Sequence, residues 1–338
     1  MGSQGSSEVI RWYRTPIERD ELARLNMRSD LRGLAQTLGH LGLMALTAGV
    51  ALYAVQEWPW WTVAAAVLLH GTVASFAINA MHELVHRSVF RTQALNEVFL
   101  RIYSFIGWLN HVHFYASHMR HHQFTLHPPD DGEVVLPIKI TVWHFLRSAL
   151  VNLPGGVESA RTIVLHAAGR FEGSWNARLF PPGRPEKRHE AIRWARQLLA
   201  GHGVIFAVSF IQGWWLVPVL TSLTPWYGGW LFFLCNNTQH VGLRDLVPDF
   251  RLCCRTFTVN PLVQFLYWHM NFHTEHHMYA AVPCYNLGRL HEAIQHDTPP
   301  ILGGLIPAWR EIIGILKRQQ GDPTYQHVYP LPGLHSGA

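Results

Sequence analysis

The stretch His273-Thr-Glu-His276-His277 carries three histidines at positions i, i+3 and i+4. On a helix, this spacing places all three imidazoles on one face, within an arc of about 100°. The same spacing occurs at His118-Met-Arg-His121-His122, and a related pair stands at His82-Glu-Leu-Val-His86. Such clusters, in a chain with 23 histidines, are not expected from core packing alone. We interpret them as one polynuclear metal site assembled from distant segments.

The composition combines low charge with abundant tryptophan. Charged residues make up 14% of the chain, and there are 14 tryptophans. This profile is typical of membrane proteins, whose tryptophans lie at the boundary between lipid and water. The four cysteines have neither zinc-binding nor redox-motif spacing, so we expect free thiols in a reducing compartment. They are Cys235, Cys253, Cys254 and Cys284.

Four apolar stretches are each long enough to cross a hydrocarbon core of about 30 Å. The predicted spans are residues 34–55, 60–80, 198–216 and 219–237, which form two hairpins with nearly uncharged outer loops. Residues 1–33 are Arg-rich and contain no short apolar core with a cleavage site, so we expect a cytoplasmic segment without a signal peptide.

The segments between and after the hairpins, residues 81–197 and 238–338, contain most of the arginines and all of the histidine clusters. Because basic loops stay on the cytoplasmic side, we expect both chain termini to be cytoplasmic. The sequence therefore predicts an all-α integral-membrane protein. Its membrane domain (residues 34–338) has four transmembrane helices in two hairpins and a cytoplasmic helical cap that carries the metal site.

Histidine count alone does not choose the metal, because imidazole binds zinc, copper, iron and nickel. The clustered histidines nevertheless exceed the four ligands of a structural zinc. His240, with Asn236 four residues before it, adds a further candidate ligand. The full set suffices for two metals with open positions. This favours a pair of redox metals that binds dioxygen and attacks a strong C–H bond beside an apolar substrate.

The ordered set His82-x3-His86, His118-x2-His121-His122, Asn236-x3-His240 and His273-x2-His276-His277 resembles the membrane fatty-acid desaturases and their hydroxylase relatives. The residues after the last cluster, 277–291, are similar to the closing segment of that family. The resemblance extends from about residue 34 to residue 291. The motifs are specific, since three clusters occur in order at these gaps between two apolar hairpins.

The resemblance implies a non-haem di-iron centre that uses O2 as co-substrate. It also implies a separate electron donor, a ferredoxin, a rubredoxin or a b-type cytochrome, because no His-Pro-Gly-Gly haem-binding signature occurs in the sequence. Such enzymes reside in the bacterial inner membrane or the endoplasmic reticulum, and Asn236 matches the asparagine that holds a water in the family. The iron ligands that the resemblance implies are His82, His86, His118, His121, His122, His240, His273, His276 and His277.

Two glutamates, Glu83 and Glu275, lie inside the clusters. We expect them to orient the histidine ligands by hydrogen bonds without binding the metal themselves, and His269 is a further candidate for this role. The alternative is that the glutamates bind metal, as carboxylates do in soluble di-iron bundles. Asp130 and Asp131 are interpreted as a turn, with contact to a substrate headgroup as the alternative.

Basic residues of the predicted cap are candidates for docking an acidic electron donor, because opposite fields speed encounter. The alternative is that they satisfy the positive-inside bias or bind anionic lipid headgroups. The candidates are Arg184, Lys187 and Arg188.

The expected function is that of an oxidoreductase, a fatty-acid desaturase that introduces a C=C bond into an acyl lipid. A hydroxylase or other monooxygenase with the same centre is the first alternative. The second alternative is a non-catalytic membrane carrier of metal or haem, which would place its ligands near the bilayer midplane.

Overall fold

The computed structural model describes residues 9–332, so the ends of the predicted segments 1–33 and 238–338 lie outside the described residues. Within this range the regular structure is helical, and β-pairing is limited to isolated bridges. The all-α prediction is thereby confirmed. In chain order the helices are α1 (Arg19–Leu25), α2 (Asp30–Glu57), α3 (Trp60–Ala74), α4 (Ala77–Val85), α5 (Gln93–Ile106), α6 (His111–Phe124), α7 (Val142–Ala149), α8 (Leu153–Ala167), α9 (Gly173–Leu179), α10 (Pro185–Gln212), α11 (Leu216–Thr221), α12 (Trp230–Asn236), α13 (Phe250–Cys253), α14 (Pro261–Leu266), α15 (His273–Met278), α16 (Leu287–Ile294) and α17 (Leu305–Gly321). Short 3₁₀ turns lie at Thr224–Trp226, Cys284–Asn286 and Gln295–Asp297.

The first predicted hairpin is present as two long apolar helical segments. The hydroxyl of Ser29 accepts a hydrogen bond from the backbone N–H of Arg32 and so caps the start of α2. Trp58 and Pro59 separate α2 from α3. The segments Asp30–Glu57 and Trp60–Val85 are both long and apolar enough to cross a membrane, and they contain the predicted spans 34–55 and 60–80.

Buried histidine bonds join this hairpin to its neighbours. One ring nitrogen of His70 lies 2.9 Å from the Thr47 hydroxyl of α2, and the other lies 2.9 Å from the carbonyl oxygen of Leu220 in α11. Because a buried polar group without a partner is costly, these two bonds fix α2, α3 and α11 against one another.

A third helix long and apolar enough to cross a membrane is α10, Pro185–Gln212. It begins well before the predicted span 198–216, because Pro185 stands in its first turn and charged helix formers follow. It ends at Gly213, which adopts a left-handed conformation with φ 70°. Near this end Phe210 and Ile211 are exposed, as expected for a helix face that meets lipid.

The predicted fourth span, residues 219–237, is not one continuous helix. It is divided into α11, the 3₁₀ turn at Thr224–Trp226 and α12. Pro225 and Gly228 explain the break, since proline lacks a donor and Gly228 has φ +68°. Among residues 9–332, three helices can cross a membrane by length and composition, so the four-span topology stays a prediction.

The broken segment lies directly against α3. A Cβ atom on Gly228 would stand 2.5 Å from the Leu68 carbonyl oxygen. The hydroxyl of Thr72 donates a hydrogen bond of 2.9 Å to the Gly228 carbonyl. Glycine is therefore required here for two reasons, the left-handed backbone and the close approach of another backbone.

The N-terminal arm, residues 9–18, packs against residues from α13 and from the segments that follow α15 and α16. Trp12 stacks on Phe250 with ring centroids 4.1 Å apart. The hydroxyls of Tyr13 and Thr15 each donate a 2.7 Å hydrogen bond to the Asp297 carboxylate. Thr15 also accepts a 2.6 Å bond, at its carbonyl oxygen, from the Tyr279 hydroxyl. The arm is thus held by residues from the last third of the sequence.

We expect Gly228→Ala to destabilise the protein more than Gly213→Ala does. Both glycines have positive φ, so each alanine incurs a backbone cost of about 1–2 kcal/mol. At Gly213 nothing lies within 4 Å of the added Cβ, whereas at Gly228 the added Cβ meets backbone. Thermal unfolding of the detergent-solubilised variants measures the difference, and equal shifts of the two midpoints would contradict the close approach to α3.

Candidate metal centre

Three short helical segments bring the clustered histidines together. His82 lies on α4 and His86 is the residue that ends it. The two histidine triplets of the sequence lie on α6 and α15, and both helices form as the i, i+3, i+4 spacing predicts. His240 follows α12 in a turn. The rings are buried or half-buried and lie close to one another in the interior of the protein.

The histidines separate into two adjacent groups. In the first cluster, one ring nitrogen of each member lies within 4.8 Å of those of the others. The Nε2 atom of His118 is 3.2 Å from Nε2 of His86 and 3.0 Å from Nε2 of His122. The Nε2 atoms of His122 and His276 are 3.2 Å apart. The first cluster consists of His82, His86, His118, His122 and His276.

The second cluster consists of His240, His273 and His277. Nε2 of His273 lies 2.9 Å from Nε2 of His240 and 3.1 Å from Nε2 of His277. His121 borders this cluster, with its ring centroid 5.1 Å from that of His240 and 4.9 Å from that of His277. The two clusters touch, because the rings of His122 and His277 stack at 4.3 Å.

Cys254 lies near the second cluster but on its outer side. Its sulfur is 3.9 Å from Nδ1 of His240, which is the nitrogen that donates to the Cys253 carbonyl oxygen at 2.7 Å. The Nε2 atom of His240 points the other way, toward His273. Burial raises the pKa of the Cys254 thiol well above its ordinary value, and its sulfur lies within 4.8 Å of the ligand nitrogens of the second cluster.

Carboxylates and neutral oxygens hold the outer nitrogens of five of the nine rings. Nδ1 of His118 donates to Glu133 at 2.8 Å, and Nδ1 of His82 donates to Glu83 at 3.0 Å. Nδ1 of His121 donates to Asp131 at 2.8 Å. Thr125 and the Cys253 carbonyl serve His277 and His240 in the same way. Such bonds fix the tautomer with its proton on Nδ1 and leave the Nε2 lone pair free.

Burial keeps most of these rings neutral. It lowers the pKa of His118, His122, His276 and His277 well below the ordinary value, and the neighbouring imidazoles lower it further. For His121 burial acts in the same direction, but the hydrogen bond to Asp131 and its negative charge outweigh it and raise the pKa. Neutral imidazole is the form that binds metals.

The donor arrangement fits two transition-metal ions. The His118 Nδ1 proton is committed to Glu133, so its Nε2 lone pair faces two other Nε2 atoms at once. One lone pair cannot form good hydrogen bonds to both, whereas a cation can bind all three nitrogens. At His273 the Nε2 atom also lies close to two other Nε2 atoms, at 2.9 Å and 3.1 Å. An all-imidazole set suits iron, copper or zinc.

Glu133, Thr125 and the Cys253 carbonyl have no motif spacing to a histidine, so they could not be identified from the sequence. Asp131 does form the predicted turn, since its Oδ1 accepts from the backbone N–H of Glu133 at 2.9 Å. Its other oxygen holds His121, a role that the turn prediction did not include. Thr125, Asp131 and Glu133 all lie in the loop after α6, so they are recognisable as partners only once that loop is folded.

The remaining predicted partners lie farther from the rings. Glu275 accepts hydrogen bonds of 2.6 Å from Thr256 and from His291, not from the clustered histidines. His269 pairs with Gln264 at 3.0 Å. Asn236 ends α12, and within residues 9–332 its side chain forms no hydrogen bond with a histidine. Within the described residues, none of these three side chains forms a hydrogen bond with a clustered histidine, so their roles in the centre stay predictions.

The outer face of α6 lines a basic cavity of about 460 Å³. Arg120, Arg178, Arg184 and Lys187 contribute to its wall. Arg188 instead donates to the Gly169 carbonyl at 2.7 Å. Two of the three predicted docking residues therefore line this basic cavity, and α6 separates it from the first cluster.

A family model described as fatty acid desaturase matches residues 58–307, a range that includes all of the clustered histidines. No curated protein matches the chain significantly. The three apolar helices and this match together indicate a membrane protein. Because the match spans well over half of the sequence, as the motif resemblance predicted, the chain belongs to the fatty acid desaturase family.

Proposed function

We propose that the protein is a membrane-bound, O2-dependent di-iron desaturase that introduces a C=C bond into an acyl chain, with electrons from a separate donor. The observation that supports this most directly is the pair of touching imidazole clusters, whose free lone pairs converge in a buried interior. Family membership supports an oxidoreductase acting on lipid chains.

The nine histidines would hold the two ions in the groups described above. The first cluster would hold one ion, and the second cluster, with His121, would hold the other. When bound, iron supplies the activation of dioxygen needed to remove hydrogen from an unactivated methylene. Glu83, Asp131 and Glu133 keep the Nδ1 protons in place and compensate part of the added positive charge.

Burial of the clusters serves the same chemistry. His273, His276 and His277 are at most 2% exposed, so few water molecules can reach the reacting centre. Exclusion of water strengthens electrostatic interactions and limits side reactions of an oxidising species. The protein residues would therefore orient the imidazole ligands and shield the centre from water, while the cofactor would supply the redox chemistry.

A hydroxylase uses the same centre, so product analysis decides between the two reactions. We expect lipids from cells expressing the protein to contain a fatty acid lighter by two hydrogen atoms, detected by mass spectrometry. His118→Ala and His273→Ala should each abolish this product, because they remove the central nitrogen of a cluster. A product heavier by one oxygen atom would establish the hydroxylase. No product together with a haem Soret band would favour a carrier.

Glu133→Gln should lower metal affinity about 10–100-fold, because it removes the anionic acceptor that fixes His118. Metal analysis of purified protein after dialysis against a chelator measures the loss. Glu158→Gln is the matched control, since Glu158 forms an exposed pair with Arg161 at 3.3 Å on α8, a helix that carries none of the clustered histidines. Equal metal retention in the two variants would refute the role of Glu133.

The basic cavity is the proposed docking site for the donor. The double variant Arg184→Glu and Lys187→Glu should lower the association rate constant of an acidic donor about tenfold at low salt, and less at high salt. Stopped-flow reduction kinetics measure this. Arg161→Glu is the control, because Arg161 is exposed on α8 and pairs with Glu158 outside the cavity. Donor kinetics that match this control would remove the docking proposal.

A further inference from the structure

The C-terminal segment, residues 322–332, lies along the loop that carries His240. The backbone N–H of His327 donates a 2.8 Å hydrogen bond to the Gly242 carbonyl. The side-chain amide of Gln326 donates to the Asp245 carboxylate at 2.6 Å. Gly242 has φ +71°, and a Cβ atom there would lie 2.3 Å from Cγ2 of Ile315 in α17. Both α17 and the C-terminal segment therefore pack onto this loop.

The buried Arg255 connects the loop that carries His240 to α17 and to the C-terminal segment. It is 1% exposed, and its guanidinium donates to the carbonyl oxygens of Thr238 and Val241, the latter at 3.2 Å. These two carbonyls lie on either side of His240 in the sequence. The backbone N–H of Arg255 also donates to the Gln239 carbonyl at 3.0 Å. Arg255 thus fixes the backbone on both sides of the His240 ring.

Two residues near the C-terminus complete the bonding of Arg255. Its Nε atom lies 3.0 Å from Glu311 and 3.0 Å from the Tyr329 hydroxyl. That hydroxyl donates in turn to Glu311 at 2.6 Å. A buried guanidinium bonded only to carbonyls would remain an uncompensated charge, which is strongly destabilising. Glu311 supplies the opposite charge, and Tyr329 holds Glu311 in place.

The residues that complete this network lie beyond the family match, which ends at residue 307. Glu311, Ile315 and Tyr329 follow it, whereas His240 and Arg255 lie within it. The matched region therefore contains His240 and Arg255. It does not contain Glu311, which neutralises the arginine, or Tyr329, which bonds to both.

We infer that Tyr329 and Glu311 are positioning residues for His240, acting through Arg255, and that the C-terminal segment thereby controls how firmly the second cluster holds its metal. This inference rests on the proposed function, in which His240 is a ligand. It concerns only the second cluster, because the contacts of Arg255 reach residues 238–241 and not the histidines of the first cluster.

The test compares Tyr329→Phe with Tyr325→Phe in the full chain. Each variant removes one tyrosine hydroxyl from the C-terminal segment, but Tyr325 accepts from Arg318 at 2.7 Å and does not contact Arg255. We expect Tyr329→Phe to speed the chelator-driven release of one of two metals a few-fold. Arg255→Lys should speed it about tenfold, as loss of an outer partner does. Tyr325→Phe should match the wild type.

A second readout needs no metal. In metal-free protein, amide hydrogen exchange over residues 238–245 should be faster in Tyr329→Phe than in Tyr325→Phe, while exchange in α6 is unchanged. A Tyr329→Phe variant with wild-type exchange in this loop would overturn the inference. Faster release of both metals from Tyr329→Phe would also overturn the inference, because a merely structural role of Tyr329 would affect both clusters.

His240→Ala separates this inference from the proposed function. It should leave the protein with one metal fewer than the wild type. If His240→Ala retains the full metal content, the proposed ligand set fails whatever the C-terminal variants do. If His240→Ala loses a metal and Tyr329→Phe releases metal like Tyr325→Phe, only the positioning role is refuted.

Discussion

The convergence of imidazole nitrogens in a buried interior is the constraint on which this structure depends. Burial disfavours the imidazolium form, so charge repulsion between the rings is avoided. The lone pairs must then be directed, and Glu133 and Asp131 do this by accepting the outer protons. Each of these carboxylates lies in the loop that follows α6. The position of that loop is therefore as important to the centre as the helices that carry the histidines.

Periodicity predicted the local part of the site well. The i, i+3, i+4 spacing placed the histidines of α6 and α15 on single helix faces, and both helices form as expected. The division into two clusters could not be predicted, because it depends on how the helices are rotated against one another. His121 and His122 are consecutive, yet one borders the second cluster and the other belongs to the first. Oxygen partners such as Thr125 follow from loop geometry, which has no periodic signal.

Apolar length predicted the first hairpin but not the second. Residues 34–55 lie inside one long helix, and residues 60–80 lie inside a long helical segment that is interrupted only by a turn at residues 75 and 76, between α3 and α4. Residues 219–237 are just as apolar, but Pro225 and Gly228 divide them into short pieces. Hydropathy reports how readily a segment enters lipid, whereas continuity depends on backbone donors and on φ. The break also allows the close contact of Gly228 with α3, which a continuous helix would not permit.

The N-terminal arm has a consequence for the order in which the protein matures. Tyr13 lies 284 residues before its partner Asp297, so it is synthesised long before the group that holds it. Chains generally fold from the N-terminus as they are synthesised. Here the arm cannot be fixed until Asp297 has emerged. The arm's other partner, Tyr279, comes just after His277, so the arm closes onto a chain in which every clustered histidine has already been made.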